Sequence, residues 1–110
     1  IRDGHDVVVG SISMRLAEGP FGEATIGYGL DEPFRGRGFA TAAVRLLAGW
    51  AFREVRVPRL VAGTLPDNLA SQAVLRRTGF TREGVRRAAL PGTGNTRRDE
   101  VAWSLLPEEY

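Results

Sequence analysis

The sequence predicts an α+β domain in which a mixed sheet carries two helices, in the order β-β-β-α-β-α-β-β. Three observations support this fold class. Strand-like segments rich in β-branched residues precede residue 31, a long helical pattern of apolar residues follows, and a glycine-containing loop separates two strand-like segments near the end. A chain of 110 residues without internal repeats or a linker is typical of one domain, here residues 1–110.

Two strand segments open the predicted fold. Residues 7–16 are rich in valine, isoleucine and other apolar side chains, which predicts one long strand or two short ones, with Gly10 as a bulge or turn. A Glu-Gly-Pro turn follows at residues 18–20, and Ala24–Leu30 is predicted as the next strand. The polar segment 31–33 contains a proline and ends that strand.

The longest helical pattern covers residues 38 to about 55. Apolar side chains occupy a wide arc of this helix, and its charged residues are only Arg45, Arg53 and Glu54. We therefore expect the helix to be buried against the sheet, with Trp50 on its buried face.

A further strand and a second helix follow. Residues 59–65 are predicted as the strand, and Asn68 is suited to cap a helix over about residues 69–78. Gly79 followed by the apolar Phe80 is typical of a glycine cap with a hydrophobic contact behind it.

A hairpin completes the predicted fold. Its strands cover residues 81–90 and 100–106, and the loop at 91–95 contains the proline, glycines and asparagine that favour a tight connection. Trp103 lies in a strand with a core-like pattern, so we expect its indole to pack in the core and not to bind a ligand.

The composition excludes several kinds of chemistry. All 15 basic residues are arginine, which excludes a Walker-type phosphate loop and a lysine Schiff base. The absence of cysteine excludes disulfides, thiolate metal sites and a thiol nucleophile. His5 is the single histidine, so a histidine-rich metal centre is excluded as well, and we expect no metal.

The composition also limits partners and location. A net charge of +2 is too small to indicate a nucleic-acid partner, and the arginines of the C-terminal half lack interleaved aromatic residues. A small nucleic-acid-binding domain is therefore only a weak alternative. No apolar run is long enough to cross a bilayer and nothing at the start has the pattern of a signal peptide, so we expect no membrane partner and a cytoplasmic location.

The loop before the first helix carries the most informative chemistry. Its residues are Arg35, Gly36, Arg37, Gly38, Phe39, Ala40 and Thr41. Glycines let a backbone approach a ligand closely, and the amides at a helix N-terminus favour an anion, so strand, loop and helix could cradle a diphosphate. A tight strand-to-helix turn without a ligand is the alternative. A dinucleotide motif does not fit, because Thr41 stands where a third glycine is needed.

Two motifs resemble those of the GNAT acetyltransferases. Arg35-x-x-Gly38-x-Ala40 resembles the Gln/Arg-x-x-Gly-x-Gly/Ala signature that holds the pyrophosphate of acetyl-CoA in that family. The segment 68–80, which begins with Asn68-Leu-Ala-Ser71 and ends in Gly-Phe, resembles the Asn-x-x-Ser helix of the same family. With Arg-Asp and the closing strand after it, the combination is most similar to the ribosomal-protein-alanine N-acetyltransferase branch.

The resemblance implies a fold and an activity. It implies that acetyl-CoA enters between two parallel strands, 24–30 and 59–65, which splay apart, and that the acetyl group moves directly to a primary amine. That amine would belong to a protein or peptide N-terminus or to a small molecule. The residues that the resemblance places at the cofactor are Leu30, the seven loop residues named above, Asn68 and Ser71. Asn68 as a plain helix cap is the alternative to its contact with the cofactor.

The catalytic groups are less defined. The resemblance makes Ser71 the proposed acid that protonates the leaving thiolate, with a simple helix serine as the alternative. Tyr28 is predicted to be a packing residue, with contact to the acetyl site as the alternative. No base is assigned, because Thr25 stands where relatives often carry glutamate, two residues after Glu23, and Leu90 stands where others carry a carboxylate. The remaining candidates, each expected at the surface, are Asp99, Glu100 and His5.

The family normally opens with a strand and two helices that are missing from this sequence. The chain is therefore expected to be a fragment, to have an unusually open acceptor site, or to be completed by a partner subunit, which leaves a homodimer open. A catalytically silent acyl-CoA-binding module is the alternative function.

Overall fold

The computed structural model describes residues 10–16, 22–30 and 38–110. In chain order, its main elements are β1 (Gly10–Leu16), β2 (Ala24–Leu30), α1 (Phe39–Trp50), β3 (Leu60–Thr64), α2 (Leu69–Arg77), β4 (Thr81–Pro91) and β5 (Arg97–Leu105). A π-helical turn over Ala51–Val55 extends α1, and a 3₁₀ turn over Pro107–Glu109 follows β5. The predicted mixed α/β fold is confirmed. Of the region predicted as one or two strands, residues 7–9 lie outside the described part.

The five strands form one sheet in the order β1-β2-β3-β5-β4. The outer pairs β1–β2, β3–β5 and β4–β5 are antiparallel, whereas β2 and β3 in the centre are parallel. Within these two described strands, pairing is limited to Ala24 with Leu60 and Thr25 with Val61. Beyond these pairs the two strands separate, as predicted, and we call this point the parting.

The two faces of the sheet differ because side chains alternate along each strand. In β3, Leu60, Ala62 and Thr64 are buried, whereas Val61 is partly exposed and Gly63 is exposed. The buried set points toward α1 and α2, and we call this side the helix face. The opposite side, the open face, is not covered by a helix in the part of the chain that the structure describes.

The core lies between the helix face and the two helices. Val44 and Ala48 of α1, Leu75 of α2 and Trp103 of β5 are all nearly inaccessible to solvent. The Trp103 indole N–H donates to the Oγ1 atom of Thr64 at 3.1 Å, so its polar atom is satisfied within the core. The prediction that Trp103 packs in the core is confirmed.

The buried face of α1 differs from the predicted one. Ala40, Val44, Ala48 and Ala51 are buried, whereas Trp50 is 48% exposed. These four positions follow the 3.6-residue period, and Trp50 is rotated by about 100° from Ala51 around the helix axis. The apolar arc was too wide to show which of its edges faces the sheet, so the predicted burial of Trp50 is wrong.

The ends of the helices follow their capping signals. The backbone N–H of Phe80 donates to the carbonyl of Leu75 at 2.9 Å, and Gly79 has a φ of +94°, which favours glycine. The Phe80 side chain is buried, so the predicted glycine cap with its hydrophobic contact is confirmed. In the described residues no helix is long and apolar enough to span a membrane.

We expect Leu60→Ala to lower the free energy of unfolding by about 2–5 kcal/mol, because Leu60 is completely buried at the centre of the sheet. Urea unfolding followed by circular dichroism measures this loss. Leu46→Ala is the matched control, since Leu46 is 75% exposed on α1, and its effect should stay within about 0.5 kcal/mol. Equal losses in the two variants would contradict the assigned core.

Candidate functional site

The parting of β2 and β3 leaves a gap in the middle of the sheet. On the open face, the first residue beyond the last paired position is Gly27 in β2 and Gly63 in β3. Neither strand therefore carries a side chain of its own into the open-face side of the gap. Glycines inside strands often mark a place where a ligand or another chain segment comes close to the backbone.

A pair of hydroxyl groups lies on the helix face beside this gap. The hydroxyl of Tyr28 is 2.8 Å from Oγ of Ser71 and lies 3.1 Å from the Ser71 carbonyl oxygen, to which it can donate. Burial raises the pKa of Tyr28, and the hydrogen bond with Ser71 opposes part of that rise. The phenol therefore stays protonated near neutral pH and can hold the Ser71 hydroxyl in place. Sequence reasoning assigned Tyr28 to packing and missed this contact.

Asn68 caps the second helix. Its Oδ1 atom accepts the backbone N–H of Ser71 at 3.1 Å, which is the usual N-cap contact. This hydrogen bond shows the capping role that the sequence offered as an alternative. It also holds Ser71 in the first turn of α2, so the Asn-x-x-Ser spacing orients the serine toward Tyr28.

The predicted diphosphate cradle is described in part. Arg35, Gly36 and Arg37 lie outside the described residues, as does the side chain of Leu30. Gly38 is the N-cap of α1, with a φ of +81°, and among the described residues nothing lies within 4 Å of where a Cβ would stand.

The first turn of α1 follows Gly38 directly. The side chains of Ala40 and Thr41 are buried, and Phe39 is partly exposed. N–H groups in the first turn of a helix lack an intrahelical acceptor, and the helix dipole favours an anion there. This turn, which the structure describes in full, contains no acidic residue. Its charge and geometry therefore fit a phosphate group.

A cavity of about 390 Å³ lies on the open face, next to the parting. Its lining residues come from β2, β3, β4, β5 and the segments before β2 and β3; they are Glu23, Thr25, Arg59, Val61, Ala62, Gly63, Glu83, Arg86, Glu100, Ala102 and Trp103. The cavity is thus polar and charged, in contrast to the apolar helix face.

One arginine links two carboxylates at the paired end of this cavity. Arg59 donates through both terminal nitrogens to Glu83, at 2.9 and 3.1 Å, and through Nε to Oε2 of Glu23 at 2.8 Å. The hydrogen bonds to Glu83 and then to Glu23 raise the pKa of Arg59, and those from Arg59 lower the pKa of Glu83. We call these three residues the Arg59 clamp. Sequence reasoning did not find it.

Glu100 is the other carboxylate of the cavity, and its placement corrects the prediction that it lies at the surface. Its side chain is only 18% exposed, and Arg86 donates to its Oε1 atom at 3.0 Å. The carboxylate lies against Gly63, in the space that a side chain at that position would fill. The absence of a Cβ in β3 therefore allows Glu100 to reach across from β5.

The other candidate bases are placed differently. Asp99 is exposed, and its Oδ1 atom accepts the backbone N–H of Ala88 at 2.8 Å. Thr25 is exposed on the cavity wall, and Leu90 pairs with Arg98 in the outer hairpin. His5 lies outside the described residues. Among the described candidates, the structure brings only Glu23 and Glu100 to the cavity as carboxylates.

Comparison with known proteins identifies relatives of the chain. A family described as an acetyltransferase (GNAT) domain matches residues 1–81. The chain is 36% identical over 105 residues to the probable N-acetyltransferase YjcK of Bacillus subtilis (strain 168), a match that covers 94% of this chain and 58% of that protein. The chain thus spans little more than half the length of this curated relative.

Two solved structures share the fold. Ribosomal-protein-S5-alanine acetyltransferase of Vibrio fischeri has a TM-score of 0.87 at 27% identity, covering 96% of this chain and 58% of that one. RimJ of Mycobacterium smegmatis, solved with CoA-disulfide, has a TM-score of 0.84 at 32% identity, covering 92% and 48%. The resemblance seen in the sequence, including the ribosomal branch, is confirmed. The parted strands and the Gly38 cap of α1 agree with these relatives. The chain belongs to the GNAT family of acetyltransferases.

Proposed function

We propose that this chain is the cofactor-binding part of an acetyl-CoA-dependent N-acetyltransferase that transfers the acetyl group directly to a primary amine. The acceptor would be the N-terminal amine of a protein or peptide, or a small-molecule amine. The observation that carries the proposal is the parting of β2 and β3, because it joins a phosphate-suited helix N-terminus on one side to a charged cavity on the other. The proposed partners are acetyl-CoA and the amine, and the proposed location is the cytoplasm. A homodimer is compatible with this assignment.

The proposed cofactor contacts begin at the glycine loop. The backbone from Leu30 through residues 35–41 would hold the pyrophosphate, with amides of the first turn of α1 as donors. Arg35 and Arg37 would add charge-assisted contacts to the phosphate oxygens. Asn68 and Ser71, at the start of α2, would contact the pantetheine chain. No metal takes part in this proposal.

Acetyl-CoA would supply an activated acyl group as a thioester. Beyond Thr25, the edge of β2 that faces β3 has no strand partner there, so its N–H groups can donate to the thioester carbonyl oxygen as charge develops on it. The gap would align this carbonyl with the incoming amine, so that positioning supplies much of the acceleration. Ser71, oriented by Tyr28, would give a proton to the sulfur as the C–S bond breaks.

Gly38→Val should weaken CoA binding at least about tenfold, since a β-branched residue is a strong outlier at positive φ and its side chain would enter the space beside the helix N-terminus. Isothermal titration calorimetry with CoA measures the affinity. Gly94→Val is the matched control, because Gly94 also has a positive φ and open space, but lies in the hairpin loop. Unchanged affinity in Gly38→Val would refute the cradle.

Ser71→Ala should lower kcat about 10²-fold if Ser71 supplies the proton to the thiolate, a loss larger than the rise in the Kd for CoA that follows from losing one pantetheine contact. Release of free thiol from acetyl-CoA, with a panel of primary amines that includes an alanine-initiated peptide, measures turnover. Tyr28→Phe should have a smaller effect and add little to Ser71→Ala, because both act through one hydroxyl pair.

Undiminished turnover in Ser71→Ala would remove Ser71 from this role and leave the transferase assignment intact. CoA binding by the whole protein without thiol release for any amine would instead indicate the silent acyl-CoA-binding module.

A further inference from the structure

We propose that Glu100 is the carboxylate that receives the acceptor's ammonium group and takes a proton from it, so that the amine reaches the gap from the open face. This inference rests on the proposed transfer to an amine. It assigns a proton acceptor from β5, a strand that does not itself border the gap.

The Glu100 carboxylate lies beside the gap between β2 and β3. Val61 is the last residue of β3 that pairs with β2, and Gly63 is the next residue on the open face. The Glu100 carboxylate lies against Gly63, so it stands directly beside the place where the two strands separate. Across the gap, Gly27 contributes no side chain that would block access to this carboxylate.

The two oxygens of the Glu100 carboxylate have different surroundings. Oε1 of Glu100 accepts a hydrogen bond from Arg86, whereas Oε2 lies on the Gly63 side and has no hydrogen-bond donor among the described residues. One oxygen is therefore fixed by a partner while the other is available to an N–H of the substrate. Arg86 is 68% exposed, so this ion pair stays partly solvated.

The neighbouring carboxylates of the cavity, Glu83 and Glu23, are less suited than Glu100 to receive the ammonium group. Both oxygens of Glu83 are engaged by the Arg59 clamp, which holds that group ionised as a partner of Arg59. Glu23 precedes β2, on the paired side of the parting, so it lies about two residues, or roughly 7 Å, short of the gap along the strand. Its side chain is also 43% exposed, against 18% for Glu100.

The surroundings indicate the class of acceptor. The open-face residues beside Glu100 are small, namely Gly63 and Ala102, and Gly27 stands across the gap. Among the described residues of the cavity, the charged groups that face it are Arg86 of β4 and, farther along, the Arg59 clamp. A primary ammonium on a slender stem fits this space, because it can approach Oε2 without displacing Arg86.

The transfer balances with these groups. The ammonium R–NH3+ gives one proton to Glu100 and becomes R–NH2, whose lone pair forms the new C–N bond at the thioester carbonyl carbon. The C–S bond breaks, its electron pair leaves with sulfur, and sulfur takes the hydroxyl proton of Ser71. The second amine proton passes from nitrogen to solvent, and Ser71 regains a proton from solvent. Glu100 then releases its proton to solvent. The sum is R–NH3+ plus acetyl-CoA giving R–NH–CO–CH3, CoA–SH and H+.

Glu100→Gln preserves the shape of the side chain and removes its charge. We expect kcat/KM for the acceptor to fall about 10²-fold or more, because an amide cannot take the ammonium proton. Calorimetry supplies a readout without turnover: the same amine, titrated into the protein saturated with CoA instead of acetyl-CoA, should bind about tenfold more weakly to Glu100→Gln. The Kd for CoA itself should not change.

Two further variants test whether the effect belongs to Glu100. Glu23→Gln removes a carboxylate of the same cavity on the paired side of the parting and should change kcat/KM far less. Gly63→Ala should displace the Glu100 carboxylate and lower kcat/KM, but it should add little in the Glu100→Gln background.

Wild-type kcat/KM and amine affinity in Glu100→Gln would overturn the inference and leave the transferase assignment standing. Equal losses in Glu23→Gln and Glu100→Gln would overturn it too, since they would indicate only the overall charge of the cavity. Absence of thiol release by the wild type with every amine would overturn the proposed function and this inference with it.

Discussion

The parting of two parallel strands is the constraint on which the site depends. β2 and β3 pair at only two positions, but each is held firmly on its other edge, β2 along its whole length by β1 and β3 along its whole length by β5. The sheet can therefore open in its centre without losing its outer ladders. The inner edges beyond Thr25 and Val61 have no strand partner among the described residues, so their backbone donors and acceptors are available to a bound ligand or to water.

Opposite faces of the sheet hold the two sides of this opening in different ways. On the helix face, Leu60, Leu75 and Trp103 form an apolar core beneath α1 and α2, which burial stabilises. On the open face, the Arg59 clamp joins the segments before β2 and β3 to β4 at the paired end of the cavity. Each member is more than a third exposed, so the clamp adds little free energy of folding. Its bidentate geometry matters more, because it links the segment before β3 to β4 in one orientation at the paired end of the cavity.

The sequence allowed the fold to be predicted, because its elements depend on local signals, whereas the phosphate-binding role of the glycine loop stays a prediction. The helical period predicted α1, and the Gly-Phe pair predicted the end of α2. The motif in the glycine loop supported the resemblance, which in turn implied that β2 and β3 separate. The contacts within the site could not be predicted in this way, because they join residues that are distant in the sequence. Tyr28 and Ser71 are 43 residues apart, and Glu100 meets Gly63 only because β5 lies next to β3 in a particular register. Alternation shows that Glu100 shares a strand face with Ala102, but not which strand lies beside it.

The same alternation explains how one gap can serve two opposite proton transfers. Tyr28 points to the helix face, where it meets Ser71, while Gly27 beside it faces the other way. In β3, Ala62 likewise lies on the helix face and Gly63 on the open face. A donor on the helix face and an acceptor on the open face are thereby separated by the thickness of the sheet, so they cannot neutralise each other directly. In the proposed mechanism, the reacting groups in the gap lie between this donor and this acceptor and contact both.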